Sequence, residues 1–217
     1  FATQWGAEIA YVFDDSRTRR VNIREGTRYR IWVEYLLNGQ ADEKTFGTFG
    51  FDFRHYKPVF RDIILAVRAA GNWSLGQQKL LHLLGGVDNV MSLKPPDTSP
   101  IDPDTPYAFQ TQSTPIRGFR QNARNGSNMA LINTEIRIPV WSTISSRPSD
   151  SDVLDHLQCI GFVDVGSAWN GKHPYDESNT FNQVTVTQNP ITVTIDNNRE
   201  PIIWGTGFGI RSYLFGY

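Results

Sequence analysis

The residues of this 217-residue chain best suited to directed charge chemistry are Arg117, Arg120 and Arg124. They fall within eight positions of a Gly-, Asn- and Pro-rich segment, "STPIRGFRQNARNGSN". That segment runs straight into an alternating stretch, "MALINTEIRIPVW", which carries Glu135 and Arg137. A guanidinium can meet a carboxylate through two parallel hydrogen bonds, which fixes direction as well as distance. The chemistry on offer is an oriented ion pair, more charge than a plain β-turn needs.

Other chemistry is sparse. "GTGFG" places Gly205, Gly207 and Gly209 at alternate positions. That is the wrong spacing for a nucleotide-binding G-x-G-x-x-G, and no helix follows it. Alternate glycines instead clear one face of a strand. His55, His82, His156 and His173 are scattered without metal-ligand spacing. No G-x-S-x-G and no Cys/His pair occurs, so no catalytic group, metal or cofactor is expected. "DTSPIDPDTP" (97–106) reads as a solvated acidic loop rather than a calcium loop. Cys159, the single cysteine, cannot form an internal disulfide, and near a strand end it reads as a small apolar filler.

The bulk properties remove several classes. Net charge is −1 and pI about 6.5, so a general nucleic-acid binder is not expected. Mean hydropathy is −0.38, and no apolar run approaches the roughly 18 residues of a spanning helix. A β-barrel survives that test, because its strands alternate and never form long apolar runs. No signal peptide is visible, and the chain starts at Phe1 without a methionine. It is expected to be a piece of something longer or a processed product.

Positioning those charges requires strands, and period-two patterns dominate. In "TQWGAEIAYVF" one face reads Trp5, Ala7, Ile9, Tyr11, Phe13. In "TRYRIWVEYLL" Tyr29, Ile31, Val33 and Tyr35 oppose Arg28, Arg30 and Glu34. "TFGTFGFDFRHY" sets Phe49, Phe51 and Phe53 against Asp52 and Arg54. "DIILAVRAAGNW", "ALINTEIRIPV", "QCIGFVDVGSAW" and "PIIWGTGFGIRSYLFGY" complete a set of seven. Each spans about ten to thirteen residues, in the range of a tilted membrane-spanning strand.

The connections alternate in length. "DDSRTRRVN" and "KPVF" are short. Those from about 76 to 128 and from about 170 to 200 are very long, which marks functional or disordered segments. "DVLDHL" could hold one helical turn capped by Ser149 or Ser151. "QQKLLHLLGG" reads as a short helix or the end of the fourth strand. Short turns on one side and long loops on the other are an outer-membrane barrel pattern. So are aromatics at strand ends on the apolar face, here Trp5, Phe13, Tyr29, Trp73, Trp169 and Trp204. A soluble β-sandwich binding module, with its charges in bulk water, remains the reading from another class.

"PIRGF" followed by "NGSNMALINTEIRIPV" resembles the signature of the surface-antigen barrel superfamily of outer membranes. That superfamily includes BamA, TamA and FhaC and the organelle import barrels. "CIGFVDVGSAWNG" and "GTGFGIRSYLFGY" resemble its next two strands, in family order. "REGTRYRIWVEY" and "FRHYKPVF" look most like Bacteroidetes-type members.

The resemblance implies an all-β, transmembrane, antiparallel up-and-down barrel of sixteen strands, with this chain supplying about the eighth through the fourteenth. Seven strands cannot close such a barrel, and 1–217 is expected to be a partial barrel domain. Loop 76–128 would fold back into the lumen, and 170–200 would be extracellular. The implied work is non-enzymatic, either insertion of outer-membrane proteins or polypeptide translocation. A secretion or anchoring barrel for an attached domain is the alternative. Implied partners are outer-membrane lipid, unfolded or secreted polypeptide clients and accessory lipoproteins, in the bacterial outer membrane.

The resemblance also assigns roles. Arg117 is the RGF arginine, which would latch the loop onto Glu135 and Asp164. Parity agrees independently: Glu135 lies on the polar face, and Asp164 breaks the apolar character of its strand. Gly118 would permit a tight tip, and Phe119 would pack on the wall. The Gly205, Gly207 and Gly209 stripe would face the lumen and make room for that tip.

Overall fold

The computed structural model describes residues 4–20, 23–38, 45–86, 99–112, 114–145, 151–177, 179, 181–197 and 199–212. Alternating stretches become strands where expected. In chain order these are β1 (Gln4–Asp14), β2 (Arg17–Arg20), β3 (Ile23–Asn38), β4 (Thr45–Phe60) and β5 (Ile63–Gly76). Within the first long connection lie β6 (Lys79–Leu84), β7 (Tyr107–Gln110) and β8 (Arg124–Gly126). Then come β9 (Asn128–Pro139), the short helices α1 (Val140–Ile144) and α2 (Asp152–Asp155), and β10 (Gln158–Trp169). The hairpin β11 (Gln183–Gln188) and β12 (Ile191–Asp196) precedes β13 (Ile203–Arg211).

The main sheet runs β1-β3-β4-β5-β9-β10-β13, every neighbour antiparallel, with β2 paired to β3. This is an up-and-down meander that does not close on itself. Because strand side chains alternate, register decides which face each residue joins. One face carries large apolar side chains left exposed by the described residues, among them Ile9, Val33, Phe53, Ile132, Val163, Trp204 and Phe208. Cross-strand rings meet on it, with Phe13 and Tyr29 centroids 5.2 Å apart and Phe49 and Trp73 6.0 Å apart. Such pairs contribute about 0.2–1 kcal/mol each.

The opposite face carries the charges, and the first long connection folds over it. β6 pairs with β7 and β8 as a separate three-stranded sheet. Leu84 and Ile116 from this layer pack with Ala70, Leu131, Ala168 and Ile203 of the wall in one buried cluster. His82 of β6 sits beside Asn72 of β5, Nε2 to Oδ1 3.2 Å. The inserted layer therefore has an apolar anchor and a polar one.

Several local expectations change. β3 and β4 each reach 16 residues, longer than expected. "KLLHLL" is neither a helix nor the end of the fourth strand. Positive φ at Gly76 turns the chain after β5, and the segment pairs with β7 and β8 instead. Trp169 does not join the exposed aromatic rim. It is 5% exposed, in an apolar recess that Pro174 and Ile202 also line, and Gly126 of β8 packs on its backbone. The expected helical turn is present as α2, and Ser151 supplies a carbonyl to the Leu154 N–H. Ser149 lies outside the described residues.

Candidate functional site

Three strands build a socket on the charged face. In register, Asp164 of β10 stands opposite Asn133 of β9 and Gly205 of β13. One row further on, Glu135 of β9 stands opposite Phe162 of β10, which stands opposite Gly207. Asp164 is fully buried and Glu135 nearly so.

The loop tip delivers Arg117 into this socket. Ile116, fully buried, seats against Gly166 and Leu84 and fixes where the next residue emerges. Gly118 follows with φ +94°, a backbone region open mainly to glycine, and the chain turns back over Arg117. Phe119 packs against the apolar cluster. Arg117 Nε donates to Asp164 Oδ2 at 2.7 Å and Nη2 to Oδ1 at 2.8 Å. Its backbone N–H donates to Oδ2 at 3.0 Å. Nη1 donates to Glu135 Oε2 at 2.7 Å, and the guanidinium carbon lies 3.9 Å from the Phe162 ring centroid.

Glu135 is shared. Its Oε1 accepts from Arg137 Nε at 2.6 Å and lies 3.7 Å from Arg211 Nη1. Among the described arginines Asp164 thus pairs with Arg117 alone, with Asn133 as a neutral hydrogen-bond partner, while Glu135 is divided among three. A cavity of about 300 Å³ opens beside the socket, lined by Arg54, Arg68, Asn133, Arg137 and Arg211 among others.

The structure brings Arg117, Glu135 and Asp164 together, with Gly118 and Phe119 at the tip. The glycine stripe divides. A Cβ on Gly205 would land on the Arg117 carbonyl oxygen, so this position borders the loop directly. A Cβ on Gly207 would meet the Phe162 ring at 2.8 Å, and one on Gly209 would meet nothing within 4 Å. The expectation that all three glycines make room for the tip therefore narrows to Gly205, since the tip stops one row short of Gly207. Sequence reasoning missed Phe162, and it placed Arg137 on the charged face without assigning it or Arg211 to Glu135. Phe162 was detectable, being an aromatic on the polar parity of its strand. Arg124 donates to Glu200 O at 3.0 Å and lies over Phe181, tying the two long connections together, while Arg120 is exposed.

A family model described as the Omp85 superfamily domain matches residues 5–214. The chain belongs to the Omp85 superfamily. No curated protein matches it. The Omp85 match spans the whole meander and both long connections, and it names no bacterial group. Omp85 is an outer-membrane family of protein insertion and translocation, which is non-enzymatic work. The unclosed all-β sheet is consistent with part of such a barrel. No helix among the described residues is long and apolar enough to cross a membrane, which says nothing of strands. Among the described residues no three His, Cys, Asp or Glu are grouped to hold a metal.

Proposed function

We propose that this Omp85 chain forms part of a sixteen-stranded outer-membrane barrel that inserts outer-membrane proteins or moves polypeptides, with its first long connection latched inside the lumen by Arg117. The observation that carries the latch is the three hydrogen bonds from Arg117 to the buried Asp164, with a fourth to Glu135. Burying charge in a barrel wall is costly unless it is paired. An arginine held this way fixes both the place and the direction of a long loop. The bare apolar face supports contact with outer-membrane lipid, and the two open sheet edges support continuation into further strands. Unfolded outer-membrane proteins or secreted polypeptides are the proposed clients, with accessory lipoproteins as further partners. A soluble sandwich is disfavoured, because no second sheet covers the apolar face among the described residues.

The test is reconstitution of the full-length protein in liposomes with an unfolded outer-membrane protein as client. Arg117→Glu is expected to abolish client assembly while the barrel still migrates faster unheated than heated on a gel. Client assembly at the unaltered rate in that variant rejects the latch. Absence of heat-modifiable migration in the unaltered protein rejects the barrel.

A further inference from the structure

The face that carries the socket also carries a run of like charge that the loop does not use. Arg28 of β3, Arg54 of β4 and Arg68 of β5 stand directly opposite one another in register. Like charges placed this way destabilise a sheet. Asp52 bridges two of them, accepting from Arg54 Nε and Nη2 at 2.9 Å each and from Arg68 Nη2 at 2.9 Å. Asp14, opposite Arg28, accepts from the Ser16 N–H and hydroxyl at 2.9 and 2.6 Å and also attracts Arg28, so the three arginines face two carboxylates and hold one positive charge in excess.

The excess is concentrated in space. Two cavities of about 300 and 280 Å³ share Arg54, and together they are lined by seven arginines and four carboxylates. One of those arginines, Arg30, is taken by Glu8 from outside the cavities. A cleft lined mainly by one sign of charge concentrates ions of the other sign. The run lies beside the socket, in the cross-strand row that continues through Asn133 to Asp164.

The shape of the array selects among anions. Neighbouring strands are about 4.8 Å apart, so the three guanidiniums form a line across the wall. In an extended chain, side chains on one face recur about every 6.8 Å. Long Arg and Glu side chains absorb that mismatch, whereas a compact oxyanion would reach one or two guanidiniums and leave the rest.

We propose that the Arg28–Arg54–Arg68 run is a contact site for an acidic, extended polypeptide segment, whose carboxylates pair with the guanidiniums the wall holds in excess. The proposal rests on the polypeptide-handling role above and names the charge character of the client. Its test uses the full-length protein in uncharged detergent micelles and a fluorescein-labelled decaglutamate peptide, read by anisotropy. Saturable binding is expected, with decalysine not binding. Arg54→Gln/Arg68→Gln is expected to weaken the affinity by about tenfold or more, and added salt to weaken it in the unaltered protein. If the double variant loses heat-modifiable migration, Arg28→Gln, which leaves Asp52 with both its partners, is read instead with the same direction expected. No saturable binding, equal affinity in the variant, or displacement by equimolar inorganic pyrophosphate overturns the proposal. Peptide binding with no client assembly by the unaltered protein would sink the function and leave this site standing. Client assembly without peptide binding would do the reverse.

Discussion

Asp164 receives Arg117 three times, through Nε, Nη2 and the backbone N–H, and is itself fully buried. Glu135 receives the same arginine once and divides its other oxygen between Arg137 and Arg211. The two acceptors are therefore unequal, although both are carboxylates at adjoining rows of one wall.

Removing Arg117 leaves Asp164 buried and without its guanidinium, a loss of about 3–5 kcal/mol for a buried pair broken on one side. Arg117→Ala is expected to expose residues 114–126 to protease under conditions where the unaltered loop is resistant. Arg117→Ala/Asp164→Ala should recover part of the protection, because no unpaired charge remains. A double variant worse than the sum of both singles would contradict this account.

Asp164→Asn and Glu135→Gln should differ. The first replaces the dedicated partner, and loop protection should fall by about tenfold or more. The second leaves Arg117 its three bonds to Asp164, so protection should change little. It removes instead the carboxylate that Arg137 and Arg211 share, which should change how the barrel's stability depends on salt. Equal loop exposure in the two variants would rule out the inequality.

Gly205→Ala places a methyl on the Arg117 carbonyl and should displace the tip. Gly207→Leu acts one step removed, by moving the Phe162 ring from under the guanidinium, a contact worth about 1–2 kcal/mol when desolvated. Gly209→Ala meets open space and should leave the loop unchanged. Proteolytic protection measured for all three gives the order, and an effect at Gly209 equal to that at Gly205 would reject it.

Burial of His82 lowers its pKa to about 4. The released loop would titrate near the ordinary value of about 6.5 and so binds a proton that the docked loop refuses. Docking is fully supported above about pH 6.5 and weakens as pH falls toward 4, by up to roughly 3 kcal/mol across that window. Loop proteolysis followed from pH 7.5 to 4.5 should show this, and His82→Gln should flatten the dependence. Stronger protection at the acid end in the unaltered protein would refute it.

The seven long strands were legible because alternation has a fixed meaning: Ile9, Val33, Ile132 and Phe208 all appear on the face their parity assigns. The neighbourhood of Arg117 was legible in part for the same reason, since Glu135 and Asp164 each broke or joined a face. What parity cannot express is the third dimension over that face. "KLLHLL" has no period that separates a wall strand from a strand of an inserted layer, so its place was set by the turn at Gly76 and by contacts far along the chain. Trp169 departs from the exposed rim because residues of the second long connection, Pro174 and Ile202, gather around it, and such a connection carries no periodic pattern. The stripe of glycines gave the face but not how far along it the tip reaches, which depends on where Ile116 finds its seat.

Arg117 lies 18 residues from Glu135 but 47 from Asp164, and β9 and β10 must pair in register to bring the two carboxylates into adjoining rows. A chain in which β10 has not yet paired offers the arginine one shared acceptor, and a pairing slipped by one residue turns Asp164 to the outer face. The dedicated acceptor therefore exists only after correct pairing. Full closure of the loop tip on both carboxylates requires β9 and β10 to be paired in this alignment, so the ion pair is a local readout of strand register as well as a tether.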